Sequence, residues 1–314
     1  NFAAWCGSPD RLSQHPTAAG TESEISGILT RMLPWEEDWP DGQPWRVELG
    51  VRGPDVPLFE FVGDWTDDVR EAWEAAGQPP VVQWRVGKVR DLSWLPASGI
   101  RDFTTSTDSG LLDDTQLAEA TQLEGLRLFT SRTDSIDWTQ LTRLRTYAGY
   151  PRPGSGFATL NLEELSLWDY LGADLEPLPF GPALRRCRLS PARRLRSLAG
   201  IEKATALKDL TLGYVPAEDY EPLGRLPQLE ELRLAACPGV HDLEWVGQAP
   251  NLRSLILENC KTVASFAPLL SHPTLELIGI SGSTRPGDGD YRGLLRATAG
   301  QVYVETLPRT ANLT

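Results

Sequence analysis

The sequence has few of the residues from which catalytic and metal-binding sites are usually built. Its 314 residues include three histidines, four cysteines and one methionine. None of the histidines, His15, His241 and His272, is spaced from another histidine or a cysteine as zinc ligands are. We also recognise no phosphate-binding glycine loop, no calcium loop and no nucleophile with an identifiable base. The sequence therefore predicts no metal, no cofactor and no catalytic centre.

Long apolar runs are also missing. No stretch approaches the roughly 18 apolar residues that a membrane-spanning helix needs, and no signal-peptide pattern is recognised at the N-terminus. The four cysteines, Cys6, Cys187, Cys237 and Cys260, are too widely spaced for a disulfide framework. Cysteines used as small buried groups are typical of a reducing compartment. We expect a cytoplasmic protein with no membrane partner.

Basic residues are outnumbered by acidic ones, and the net charge is −13. Residues 1–80 hold most of the excess, with 15 acids and 5 arginines. An acidic chain is a poor general binder of nucleic acid, so we expect no nucleic-acid partner. The acidic excess itself is best explained as a device for solubility.

What the sequence does contain is a repeat. Between residues 207 and 280 the phrase LxxLxL occurs four times, with spacings of 22 or 23 residues. We number its residues 1 to 6 and continue the count into the following turn. Positions 4 and 6 alternate with polar neighbours, which indicates a half-buried strand. Prolines between the phrases, such as Pro222 and Pro268, indicate 3₁₀ turns or short helices. Because so short a strand cannot bury its apolar side alone, the repeats are expected to stack.

In two copies the phrase continues to Cys237 and Cys260, which gives LxxLxLxxC. These lines resemble the leucine-rich repeat family, in a short bacterial form with some cysteine-type turns. The resemblance implies an α/β solenoid, with a curved parallel sheet on the concave side and 3₁₀ turns or short helices on the convex side. It also implies a non-enzymatic recognition module that binds a protein or peptide partner on the concave face.

Six less regular phrases precede the four clear ones, which predicts about ten coils over residues 81–305. A strand at 302–304 closes the stack, and residues 306–314 form a tail. Residues 1–80 are predicted to form an α+β cap: a loose lead-in over 1–20, a helix opening at Thr21, a hairpin around 45–62 and a helix after Thr66. The earlier phrases begin at Val81, Ile100, Leu123, Leu141, Leu162 and Leu184.

Residues at positions 5 and 7 point away from the core and form columns along the stacked strands. Column 7 places three aromatic residues on consecutive coils, and column 5 is rich in arginine, beginning at Arg85. Aromatic and arginine side chains dominate binding hot spots, so we predict a binding surface here. Alternatively, the aromatics only cover the rim and each arginine pairs with a carboxylate of a neighbouring strand, such as Glu124, Glu164 or Asp209. The predicted surface comprises Phe129, Tyr147, Trp168, Tyr214, Arg127, Arg145, Arg188 and Arg233.

Three other interpretations stay open. Coil-rich domains similar to this one occur as ligand-sensing ends of larger nucleotide-dependent signalling proteins of bacteria, in which the nucleotide site would lie outside this chain. Alternatively, an enzyme could have its site in the N-terminal region, around Cys6, Glu60, Asp64 or Asp67. A third possibility is an anionic ligand on the arginine column, which strong salt dependence would reveal.

Overall fold

The computed structural model describes residues 45–49, 56–85, 92–105, 114–129, 136–151, 156–270, 272–289 and 302–304. Short strands recur along the whole of this range. Their bounds are β1 Trp45–Leu49, β2 Pro57–Val62, β3 Val81–Arg85, β4 Asp102–Thr105, β5 Gly125–Leu128, β6 Thr146–Gly149, β7 Glu164–Leu167, β8 Arg186–Leu189, β9 Asp209–Gly213, β10 Glu231–Ala235, β11 Ser254–Glu258, β12 Thr262–Val263, β13 Leu277–Ser281, β14 Arg285–Pro286 and β15 Val302–Val304.

Thirteen of these strands form one sheet in chain order, and β12 and β14 pair separately. Strand β1 is antiparallel to β2, and every later pairing is parallel. In the clear repeats the position 4 residues lie side by side, as Leu210, Leu232, Leu255 and Ile278 do. The predicted solenoid and its closing strand at 302–304 are therefore confirmed.

The core is a continuous apolar column inside the coils. Positions 1, 4 and 6 supply it: Leu207, Leu210 and Leu212 all have no exposed surface. On the other side, Pro96 and Pro222 lie in the first turns of short helices, as predicted from proline's fixed φ. The helices are α1 Asp67–Ala75, α2 Leu95–Ser98, α3 Glu221–Gly224 and α4 Ala267–Leu270, and 3₁₀ turns lie at Asp114–Glu119, Trp138–Gln140, Phe157–Thr159, Ile201–Lys203 and Glu244–Gln248.

The N-terminal hairpin is continuous with the solenoid. Trp45 of β1 pairs with Phe61 of β2, and β2 in turn pairs with β3. Helix α1 begins as predicted, because the Thr66 hydroxyl accepts a hydrogen bond from the Val69 amide at 3.4 Å. Its apolar face, including Trp73, is buried. The predicted lead-in, the helix after Thr21 and the tail lie outside the described residues, and the cap boundary at residue 80 stays a prediction.

The start of the repeat phrase was predicted wrongly in two coils. Tyr147 pairs with Leu126 and with Leu165, so this coil's phrase begins at Leu144 and not at Leu141. Both leucines fit position 1, but only the later start places an apolar ring inward at position 4. In the first coil Val82 pairs with Phe103, so Gln83 occupies the column 5 place that was assigned to Arg85.

Candidate functional site

The strand register defines the concave face. In column 5 the small side chains of Ala148 and Ser166 lie between the larger Arg127 and Arg188, and Thr104 precedes Arg127. Residues at position 7 are the last residue of each strand or directly follow it, and they form the rim of the face. Those whose side chains the structure describes are Val62, Phe129, Tyr150, Trp168, Ser190, Gly213, Ala235, Glu258 and Ser281.

Two of the three aromatic residues predicted for column 7 do meet on this rim. The ring centroids of Phe129 and Trp168 lie 4.8 Å apart, with an angle of 44° between the ring planes. The two residues follow strands that are separated by β6, so their backbones are about 10 Å apart at the usual strand spacing. The rings therefore lean towards each other across the intervening coil. Both are half-buried, and neither belongs to the apolar core.

Tyr147, the third predicted member, lies elsewhere. Its side chain has no exposed surface and contacts Trp138 and Phe157 edge-to-face, at centroid distances of 5.1 and 5.5 Å. Its hydroxyl donates a hydrogen bond to the Tyr150 carbonyl oxygen at 2.9 Å, and burial raises its pKa. The assignment of Tyr147 to the concave face was wrong because it depended on the incorrect register. The half-buried Tyr150 occupies position 7 instead.

The predicted arginines differ in their surroundings. Arg127 donates to both carboxylate oxygens of Asp102 at 2.9 Å. Arg233 donates to Glu258 at 2.6 Å. Both are cross-strand pairs, as the alternative interpretation expected, although neither acid was among its named partners. Half of the predicted arginine set is therefore neutralised within the sheet.

Arg145 is not in column 5. Its amide bonds to the Glu124 carbonyl, which places it at position 2, just before β6. Its guanidinium donates to the carbonyl oxygens of Thr142 and Leu144, both at 3.3 Å. The prediction that Arg145 flanks the aromatic cluster was wrong for the same reason as for Tyr147.

Arg188 lies on β8 beside an acidic neighbour. Burial, followed by the nearby Glu231 carboxylate, raises the pKa of Asp209, and Arg186 and Arg188 oppose that rise. Arg186 also forms an ion pair with Glu164 at 3.1 Å. The strand therefore brings two arginines to the concave face, next to the strand that Trp168 follows.

Tyr214 lies at position 8 of the next coil, in a left-handed turn with a φ of 57°. It is 51% exposed, and the guanidinium carbon of Arg193 lies 5.5 Å from its ring centroid. That distance is typical of a cation–π contact. Arg193 was missed by the column analysis because it lies beyond the repeat phrase, although six arginines lie between residues 185 and 196.

Cys237 and Cys260 are buried in their turns, as predicted, and their thiols also form hydrogen bonds to the backbone. The Cys237 thiol lies 3.5 Å from the Leu212 carbonyl oxygen of the preceding coil, and the Cys260 thiol lies 3.3 Å from that of Leu234. In the following coil the Thr284 hydroxyl makes the equivalent bond at 3.2 Å. Cys187, Cys237 and Cys260 are all free thiols.

Two of the four residues named for an enzyme site are held in local ion pairs, and Cys6 lies outside the described residues. Glu60 is buried and forms an ion pair with Arg46 of β1, while Asp67 lies in the first turn of α1, bonded to Arg70 at 3.2 Å. Within the part of the chain that the structure describes, no group of three His, Cys, Asp or Glu residues could hold a metal ion. In the same part, no helix is long and apolar enough to cross a membrane.

Comparison with solved structures supports the solenoid. No family model and no curated protein matches the sequence. An internalin (inlF) of Listeria monocytogenes is similar in fold, with a TM-score of 0.53 and 14% identity over 82% of this chain and 84% of that one. Toll, in the Toll–Spätzle complex of Drosophila, gives a TM-score of 0.52 and 13% identity. That match covers 85% of this chain but only 45% of the Toll chain. The chain has the leucine-rich repeat fold.

Proposed function

We propose that this leucine-rich repeat solenoid is a non-enzymatic recognition module whose concave face binds a protein or peptide partner. The observation that carries the proposal is the contact between Phe129 and Trp168 on the rim of the sheet. These rings are half-buried, lie outside the core and can be covered further by a partner. Aromatic anchors of this kind contribute much of the affinity of protein interfaces.

The comparisons support the same class of function. Toll is described in a complex with Spätzle, a protein partner, and the solenoid here has the same kind of parallel sheet. The surface we propose adds Tyr150, Arg188 and Tyr214 to the aromatic pair. Arg127 and Arg233 lie on the same face, but their carboxylate partners reduce what either could add to binding. Three free buried thiols support the proposed cytoplasmic location.

The proposal is tested by capture of a partner from a lysate of the source organism. Wild type is compared with Phe129→Ala/Trp168→Ala and with a matched control, Leu171→Ala/Leu270→Ala, whose leucines are 38% and 37% exposed and lie outside the strands. We expect mass spectrometry to find a protein that wild type and the control retain and the aromatic variant loses. Equal retention by all three proteins would refute the proposed face.

A further inference from the structure

One coil carries a concentration of positive charge that contrasts with the rest of the chain. Six arginines lie between residues 185 and 196, and no acidic residue occurs between residues 177 and 201. Because the whole chain has a net charge of −13, the remaining residues carry −19 without these six. We call this group the arginine coil; it comprises Arg185, Arg186, Arg188, Arg193, Arg194 and Arg196.

Only part of this charge is neutralised. Arg186 pairs with Glu164, yet 64% of its side chain is still exposed. Arg188 lies near Asp209, and Arg193 lies over the Tyr214 ring. Within the described residues, Arg185, Arg194 and Arg196 form no ion pair, and all three are exposed. These three arginines therefore lack carboxylate partners within the described part of the chain, unlike Arg127 and Arg233.

The fold does not require these arginines. The coil is anchored by Leu184, Cys187, Leu189, Leu195 and Leu198, all of which are buried. Like charges crowded on one coil repel each other and lower stability. Two of them lie near the proposed aromatic surface: Arg188 is on β8, next to the strand that Trp168 follows, and Arg193 contacts Tyr214. Part of the arginine coil thus adjoins the proposed aromatic surface.

We propose that the arginine coil binds an acidic peptide segment of the partner protein, an inference that rests on the proposed function. Guanidinium groups pair with carboxylates through two parallel hydrogen bonds, which favours arginine for this task. A segment with a few carboxylates can contact one coil alone. A long nucleic acid would also face the strongly acidic remainder of the chain, so the charge distribution favours a peptide.

Fluorescence anisotropy with a fluorescein-labelled octaglutamate peptide tests the inference on the full chain. We expect binding at about 50 mM salt that weakens about tenfold at about 200 mM. Arg185→Gln/Arg194→Gln/Arg196→Gln should weaken binding about tenfold or more, since it removes the exposed, unpaired members. The control, Arg143→Gln/Arg225→Gln/Arg285→Gln, changes the net charge equally at exposed sites outside this coil and should weaken binding less than about twofold.

Three results would overturn the inference. These are no octaglutamate binding at the lower salt, equal weakening by both triple variants, or tighter binding of an octathymidylate oligonucleotide than of octaglutamate. The lysate capture experiment distinguishes failure of this inference from failure of the proposed function. If capture depends on Phe129 and Trp168 while octaglutamate fails to bind, only the acidic partner is refuted. If octaglutamate binds as expected but the Phe129→Ala/Trp168→Ala variant retains the partner as well as wild type does, the concave-face proposal is refuted.

Discussion

Replacing Tyr147 with alanine is the sharpest test of the register on which the concave face depends. The side chain is fully buried between Trp138 and Phe157, and its hydroxyl is bonded to a backbone carbonyl. Removing an aromatic ring from such a site leaves a cavity and costs about 3–5 kcal/mol of unfolding free energy. Tyr147→Phe keeps the ring and should cost only about 1 kcal/mol, for the lost hydrogen bond.

Trp168→Ala is the matched comparison. This ring is larger, but it is half-buried and outside the core, so we expect its removal to cost about 1 kcal/mol. Urea unfolding followed by far-ultraviolet circular dichroism measures all three variants, because that signal does not depend on the tryptophan removed. If the phrase began at Leu141, Tyr147 would point outward. The register would be refuted if Tyr147→Ala lost less than about 1 kcal/mol of unfolding free energy, or if Trp168→Ala lost more than Tyr147→Ala.

Three further predictions address other parts of the solenoid. A side chain at Gly125 would meet the Asp102 carboxylate at 2.5 Å, so Gly125→Ala should cost about 1–2 kcal/mol and be less than additive with Asp102→Ala in a double-mutant cycle; full additivity would contradict this. Burial, followed by the Asp174 charge, raises the pKa of Tyr170 to about 12. Because solvent screens part of this effect, stability present below about pH 10 should fall by about 1–2 kcal/mol between about pH 10 and 12. Tyr170→Phe should remove this part of the loss of stability. If the variant loses as much stability as wild type at alkaline pH, the role of Tyr170 is refuted. Cys237 and Cys260 should resist iodoacetamide until urea unfolds the chain, whereas rapid labelling of the native protein would place them outside the buried turns.

The repeat was readable from the sequence wherever every coil repeats its apolar positions. Leu207, Leu210 and Leu212 can fit the phrase in only one way, and the strands there lie in the predicted register. At residues 141–149 two leucines three residues apart compete for position 1. Pairing with strands about twenty residues away decides between them, and no local pattern contains that information.

Residues of the candidate site were predicted correctly wherever the predicted strand register was correct. Phe129, Trp168 and Arg188 lie where the columns placed them, whereas Tyr147 and Arg145 moved with their coil. The contact between Phe129 and Trp168 crosses a whole coil, which nearest-neighbour reasoning did not anticipate. Arg193 lies after the phrase, so only the density of arginines signalled it.

The in-register parallel sheet has a consequence for how this protein can change in length. Each strand pairs with the next by the same residue-for-residue pattern, from β2 to β13. An insertion or deletion of a whole coil, about 22 residues, would join one strand to an equivalent one and preserve both faces. Loss of a single strand residue would turn every later side chain of that strand to the opposite face. Among the strands, the whole coil is therefore the smallest unit that can be gained or lost while the curved surface persists, whereas the segments between strands already differ in length.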